Sequence, residues 1–345
     1  MILLLSIATF AVFSIRDVLV PFFIALIFVY ILRPIVKLLE ERGLPRLPSL
    51  LLAYIGIILT FVLFSSYVGP ILYNEGNGLM KGMPKYVDTV SAYTNDYIKQ
   101  HPFLKGSQAT DLFQSFWKSF AGYLEQIGKN IPVIVASVSS SVINFILGMI
   151  IAFYILKDTG TIRTTIHEMI PARYRAEGMD IVKKIDCIVG GFLKGQAMVA
   201  LSVGILAAIG LSVLGLDYAI LLGFIIGAFN IIPYLGPILG GVPAVIIALG
   251  TSWQLAIVTI VVLLVIQQFD SIFISPRIMS SQVNLHPVVV IFAILAGEQF
   301  LGIIGMLIAI PLAAVGKALY LHFKERHEKE LGQHGGRDLK QPAKV

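Results

Sequence analysis

Apolar residues come in long blocks along this chain, with the charges gathered between them. The apolar runs cover roughly residues 1–15, 18–32, 50–73, 131–156, 197–215, 218–232, 236–250, 254–269, 287–297 and 301–320. A helix rises 1.5 Å per residue, so about 20 apolar residues cross a hydrocarbon layer about 30 Å thick. The runs 50–73, 131–156 and 197–215 meet that length, and the two N-terminal runs and 254–269 meet it when extended at their ends. The pair 218–232 and 236–250 is different: each arm is about 15 residues, about 22 Å as helix, and Pro233, Gly236 and Pro237 part them. The 287–320 segment is also interrupted, at Gly297, Glu298 and Gln299. Short apolar helices broken by glycine and proline mark re-entrant hairpins. The pattern predicts an all-α integral membrane protein with about six full transmembrane helices and two Gly/Pro-broken re-entrant helical hairpins.

The charges between the runs suggest an orientation. Arg33, Lys37, Arg42 and Arg46 follow the second run; segment 157–196 is basic, and so is the tail. With four spans before residue 157, all three lie on one face. The positive-inside rule makes that face the cytoplasm, with both termini there. Six regions follow: N-terminal transmembrane helices (1–73), an extracytoplasmic amphipathic helical loop (74–130), a transmembrane helix (131–156), short cytoplasmic amphipathic helices (157–196), a transport core with both broken hairpins (197–323) and a disordered cytoplasmic tail (324–345). In the loop, Leu112, Phe116, Phe120, Tyr123 and Ile127 recur at helical spacing. That stripe fits a helix on the membrane surface or on a neighbouring subunit, or ordinary packing within the loop.

In this orientation the core holds two units, each a span followed by a broken hairpin, inserted from opposite faces. Their second arms are alike, LGPILGGVPAV at 235–245 and LGIIGMLIAIPLAAV at 301–315. An inverted repeat of this kind is a basis for alternating access; the spacing in the two arms differs by two residues, and a chance likeness is the alternative.

Composition agrees with the pattern. The chain is 57% hydrophobic and only 13% charged, against about 25% in soluble domains. The net charge of +6 sits in loops between apolar runs, which points to the bilayer as partner and not to nucleic acid. The single cysteine, Cys187, reads as a small buried residue. No phosphate loop, metal-spaced His/Cys set or nucleophile motif is present, so neither an enzyme nor a cofactor is expected.

Charges inside the late apolar region are few. Glu298 lies at the second break, where a carboxylate is costly and hence a functional candidate, unless the turn is shallow enough to reach the interface. Asp270 ends the 254–269 run after Gln267 and Gln268, and a structural pair with Arg277 competes with an ion-coupling role. His286 precedes Pro287 at a helix entrance, where capping competes with titration. The first hairpin tip offers Asn230, the Tyr234 hydroxyl and carbonyls freed by Pro233 and Pro237. Gly236, Gly240 and Gly241 allow close backbone approach, or merely shape a turn. Gln299 joins this set. Pro243, Pro276, Pro287, Gly302, Gly305 and Pro311 read as structural.

The runs FLKGQ at 192–196, FNIIPYLGPILGGVPAV at 229–245, SPRI at 275–278, LHPVVV at 285–290 and GIIGMLIAIPLAAVGKAL at 302–319 resemble the autoinducer-two exporter family of bacterial permeases. The resemblance extends from Tyr30-Ile31-Leu32-Arg33-Pro34 to about residue 323. It implies about eight helices in a bacterial inner membrane. It also implies export of a quorum-sensing furanosyl signal in some members and sodium–proton exchange in others. Lys194 stands where many relatives have arginine. The resulting expectation is a secondary transporter, a homo-oligomer, exporting a small polar solute of the autoinducer-2 kind through a site between the hairpin tips. A proton, sodium or solute gradient drives it. The rivals are a monovalent cation–proton antiporter and a membrane scaffold for a partner complex.

Overall fold

A computed structural model describes residues 2–100, 115, 119, 122, 143–233, 235–278 and 285–335. Every described element is helical. In chain order they are α1 (Ile2–Glu41), α2 (Arg46–Gln100), α3 (Ile143–Lys157), α4 (Thr159–Met169) and α5 (Arg175–Val213). There follow α6 (Ala219–Phe229), α7 (Leu235–Thr251), α8 (Trp253–Phe269), a π-helical turn (Asp270–Ile274), α9 (Ser275–Ile278) and α10 (Pro287–Gly335).

Among the described residues, five stretches are long and apolar enough to cross a membrane: Leu19–Glu41, Arg46–Gly82, Ala172–Val213, Trp253–Ile278 and Ile304–Arg326. A sixth arises if α3 and α4, bent by 73°, count as one span. Three apolar helices are shorter: Ala219–Phe229, Gly236–Thr251 and Pro287–Gly302. This is the all-helical multi-pass membrane protein that the runs predict, with its short helices where the glycine and proline breaks fall.

Several boundaries differ from the sequence reading. The runs 1–15 and 18–32 form one helix of 40 residues, α1. Arg16 and Asp17 interrupt the hydropathy but not the hydrogen-bonding, since neither lacks an amide as proline does. Likewise α2 passes residue 73 and both Pro70 and Pro84 without ending, for 55 residues. In 157–196, only α4 is a separate short helix, and α5 runs unbroken from Arg175 through Gly190 and Gly191. The tail stays helical to Gly335. Cys187 is exposed, not buried. The 112–127 stripe and Tyr234 lie outside the described residues.

The chain divides into two compact units. The first comprises Leu32–Ile150 and Gln196–Ile278, the second Met1–Ile31, Ile151–Gly195 and Met279–Val345. The first unit is built on α6, α7 and α8 with α2 against the hairpin, around buried Val203, Leu211, Leu222, Ile226 and Ile247. In the second, the Tyr30 hydroxyl donates to Asp186 Oδ1 at 3.0 Å. A Cβ on Gly190 would lie 2.5 Å from that tyrosine ring. Glycine thus survives inside α5 because the ring occupies the space of its side chain. In the same unit, Arg326 holds both oxygens of Glu177 at 2.8 and 2.7 Å, with His322 at 3.2 Å.

Candidate functional site

Five polar side chains are buried among the described residues: Ser49, Gln196, Asn230, Thr259 and Asp270. All five belong to the first unit, and four stand on or beside α5, α6 and α8. In apolar surroundings each such group is costly unless it is hydrogen-bonded or functional.

Small residues bring α5 and α6 together. Ala200, Gly204 and Ala208 are spaced by four on α5, and so are Gly223 and Gly227 on α6. A Cβ on Gly223 would lie 2.5 Å from the Ala208 backbone nitrogen, and one on Gly227 would lie 2.8 Å from the Ala200 carbonyl oxygen. Backbone contact of this kind is how small residues at every fourth position pack membrane helices. It places the end of α6 against the start of the α5 apolar run. There Gln196 Nε2 donates to the Asn230 carbonyl oxygen at 2.6 Å. That carbonyl is among those a helix C-terminus leaves without an intrahelical donor, and the glutamine supplies one.

After Asn230 the chain turns back. Gly236 N–H donates to Ile232 O at 2.9 Å, and Pro233 occupies the turn. A Cβ on Gly236 would collide with the Phe229 carbonyl, and one on Gly240 would lie 2.7 Å from Ile226 Cα. These two glycines therefore seat α7 on α6. Gly241 does not: its nearest neighbour is the Leu263 Cδ1 methyl at 3.3 Å. The expected close backbone approach holds at 236 and 240 and fails at 241, which faces α8.

On α8 the half-buried and buried positions include Thr259, Leu263, Ile266, Gln267 and Asp270, one face of the helix. Gln268 is exposed. Thr259 Oγ1 is buried with no hydrogen-bond partner. Asp270, 5% exposed, opens the π-helical turn and accepts from Ser275 Oγ at 2.9 Å. Its partner is Ser275 and not Arg277, which is exposed beside Pro276. Short π-helical stretches are frequent at functional sites because the wider turn redirects side chains.

The opposite end of the hairpin is tied to α2. The Leu221 N–H at the start of α6 donates to Glu75 Oε2 at 2.6 Å, so a carboxylate from another helix caps the positive end of α6. Tyr86 donates to Asp217 Oδ2 at 3.1 Å. Burial, then the Asp217 charge, pushes the Tyr86 hydroxyl well above its usual range, so it stays a donor at any working pH.

The second unit holds the second hairpin. Gly302 has φ 59° and ψ −139° inside α10, a conformation that is essentially glycine-only. In an unbroken helix Gly297 and Gly305 would lie about 12 Å apart. Here their backbones touch, so the chain folds back at Gly302. The break is thus at residue 302 and not at 297–299. Glu298 and Gln299 are exposed helical residues one turn before it. Both hairpins share a device: Leu-Gly at the turn (235–236, 301–302), then a glycine seated on the opposite arm (240, 305). His286 Nδ1 accepts from Val288 N–H at 3.3 Å, a capping geometry, with Pro287 at the first helical position, where its missing amide costs nothing. Pro243 sits inside α7, and Pro311 is fully buried in α10.

Sequence reasoning missed Gln196, Thr259 and Glu75 as candidates. The four-residue spacing of small residues on α5 and α6 was a readable signal for the crossing beside Gln196. For Glu75 there was none, since its partner is a backbone amide 146 positions away.

Comparison with known proteins agrees with this architecture. The family model described as "AI-2E family transporter" matches residues 1–325. "Putative transport protein YueF" of Bacillus subtilis is 34% identical over 307 residues, covering 88% of this chain and 83% of that protein. "Putative transport protein YrrI" of the same organism is 31% identical, covering 90% and 87%. "Putative permease PerM" of Escherichia coli K12 is 26% identical, covering 92% and 91%. Together with the helical spans and broken hairpins, a family match over nearly the whole chain establishes that this is a member of the AI-2E family of membrane transporters, which are not enzymes.

Proposed function

We propose that the protein is a secondary transporter that exports a small polar solute of the autoinducer-2 kind. The observation that carries this reading is the buried polar set of the first unit: Gln196 bonded to the Asn230 carbonyl beside the hairpin turn. Thr259, Gln267 and Asp270 share one face of α8. Amide and hydroxyl groups both donate and accept, and the carboxylate accepts, which together suit a polyol. Pro233, Gly236, Pro237 and Gly240 shape the turn and Gly241 faces α8; Tyr234 stays in the proposed set on the sequence alone. Gln268, Glu298 and Gln299 stand outside it.

A second reading, a monovalent cation–proton antiporter, is favoured by one feature. Asp270 is the one carboxylate among the buried polar side chains of the described residues, and an acid within a membrane span is a functional candidate by default. Asp270 therefore replaces Glu298 as the leading ion-coupling group, with His286 behind both.

The reading carries an inner-membrane location with segments 33–46 and 157–196 in the cytoplasm, and a homo-oligomeric assembly. The test is uptake and efflux by purified protein in liposomes, with imposed proton, sodium and solute gradients. Movement of a furanosyl diol that Asn230→Ala abolishes supports the first reading. Sodium–proton exchange without any organic solute supports the second. A protein that moves neither under any gradient overturns both.

A further inference from the structure

A second site lies outside the hairpins, in the unit that holds α4 and the first half of α5. The chain bends by 73° between α3 and α4, passes through Pro171 and a single 3-10 turn at Ala172–Tyr174, and then starts α5. Ile170 closes the base of this bend on Gly178, where a Cβ would lie 2.8 Å from Ile170 Cδ1. Between α4 and the first turns of α5 opens a cleft of about 740 Å³, lined among others by Arg163, Thr164, His167, Arg175, Met179 and Lys183. That volume lies within the range of small-molecule sites, about 300–1,000 Å³.

The lining is cationic and uncompensated. Among the described residues, Arg163, Arg175 and Lys183 form no ion pair. The neighbouring carboxylates of α5 are engaged elsewhere: Glu177 holds Arg326 and His322, and Asp180 holds Lys184. Arg175 adds an independent sign. Its Nε is buried and has no hydrogen-bond partner, although a buried donor left unmade is expensive. The residue is also the first of α5, the positive end of that helix's dipole.

We propose that this cleft binds a phosphate-bearing anion, with the Arg175 guanidinium as its fork and Arg163 and Lys183 as flanking cations. Phosphate oxygens accept two parallel hydrogen bonds from an arginine. Among the lining residues the one ring is the His167 imidazole, with no Phe, Tyr or Trp beside it, so recognition rests mainly on the phosphate. An anionic lipid headgroup and a soluble organic phosphate both carry this chemistry, and basic pockets beside membrane helices are known to hold headgroups.

The test uses the purified full chain in a neutral detergent. It is titrated with inorganic phosphate, with glycerol phosphate, and with micelles doped with phosphatidylglycerol or phosphatidylcholine, and thermal stability is followed. Saturable stabilisation by one of the anionic probes but not by phosphatidylcholine is expected. Response to the doped micelles alone identifies a headgroup site, and response to glycerol phosphate alone a soluble ligand. Arg175→Gln should weaken that response by about tenfold, the size of one lost charge-assisted bond. Lys183→Gln, at an exposed position that folding does not need, should weaken it less but measurably. Arg173→Gln, whose guanidinium lies 5.5 Å from the Tyr174 ring and outside the cleft, should leave it unchanged. Stabilisation by no anionic probe, or equal stabilisation of wild type and Lys183→Gln, overturns the proposal, including the case in which Arg175→Gln fails to fold.

Discussion

Asp270 concentrates the residue-scale argument. It is a carboxylate inside a span, buried, and held by one hydroxyl, Ser275. Asparagine keeps the shape and an oxygen that accepts from Ser275. Removing a charge from apolar surroundings should leave folding intact, with Tm changed by no more than about 4 °C. If the charge couples transport to an ion gradient, Asp270→Asn should lower gradient-driven transport by about tenfold, the scale of a typical coupling energy. Transport at the wild-type rate under every gradient would remove Asp270 from the mechanism. The glycines make a second contrast at this scale. A side chain at Gly240 meets the Ile226 backbone, whereas at Gly241 it meets one flexible leucine methyl. Gly240→Leu should therefore destabilise the purified protein by about 1–3 kcal/mol, as overpacking does, and Gly241→Leu by clearly less. Equal denaturation midpoints for the two variants would contradict the packing described for this hairpin. Neither ranking was legible in the sequence. Gly240 and Gly241 are adjacent and chemically identical, and only the direction of each Cα relative to α6 and α8 separates them. Glu298 stood out for being charged in an apolar stretch, but burial depends on which face of α10 it occupies, and hydropathy does not report that.

At the scale of elements, the hairpins were legible and their exact turns were not. Pro233, Gly236 and Pro237 cluster within five residues between two short apolar arms, and such a cluster marks a turn where single prolines such as Pro70 and Pro84 do not, so the first hairpin could be read directly. The second offered three glycines, 297, 302 and 305, together with a polar pair. Glu298 and Gln299 looked like a break because they are polar, yet both are good helix formers. The turn falls at Gly302, where a positive φ is required. Replacing Gly302 with valine should cost about 1–3 kcal/mol in strain, whereas Glu298→Gln should leave folded yield unchanged. Equal yields for Gly302→Val and wild type would show that the turn lies elsewhere. The α6–α7 pair makes a topological prediction as well. α6 has 11 residues, about 16 Å against a core of about 30 Å, so it should not cross alone. With Cys187 changed to serine, single cysteines at Val213 and Thr251, both exposed, should react with an impermeant maleimide from the same side. Reaction from opposite sides would make each arm a full span. The long helices misled the sequence reading for the converse reason. At Arg16-Asp17 and beyond residue 73 the composition changes while the backbone has no cause to stop, so polarity was taken for a boundary.

The whole molecule is best tested through its orientation, because the helical count alters an expectation drawn from charge. Four spans before residue 157 would put both termini in the cytoplasm. With α1 a single helix, the candidate spans before that residue are α1, α2 and the apolar run 131–156. On that count segments 33–46 and 157–196 are expected to share a face, and the start of α1 to lie on the other. The positive-inside rule acts through lysine and arginine in short loops close to span ends. Arg33, Lys37, Arg42 and Arg46 form such a group with two acids, Glu40 and Glu41. The far half of α2 carries Lys81, Lys85 and Lys99 against Glu75, Asp88 and Asp96, which gives no comparable bias. Segment 33–46 is therefore expected in the cytoplasm, and the end of α2 outside. In whole cells expressing the Cys187→Ser chain, cysteines at Arg42 and Thr161 should be protected from an impermeant reagent until the membrane is opened. A cysteine at Asp88, exposed on α2, should react at once. Protection of Asp88 with reaction at Arg42 and Thr161 would invert the molecule. Reaction of Arg42 and Thr161 from different faces would mean that the crossings between them are odd in number, and that α2 does not pass through the bilayer as its apolar half requires.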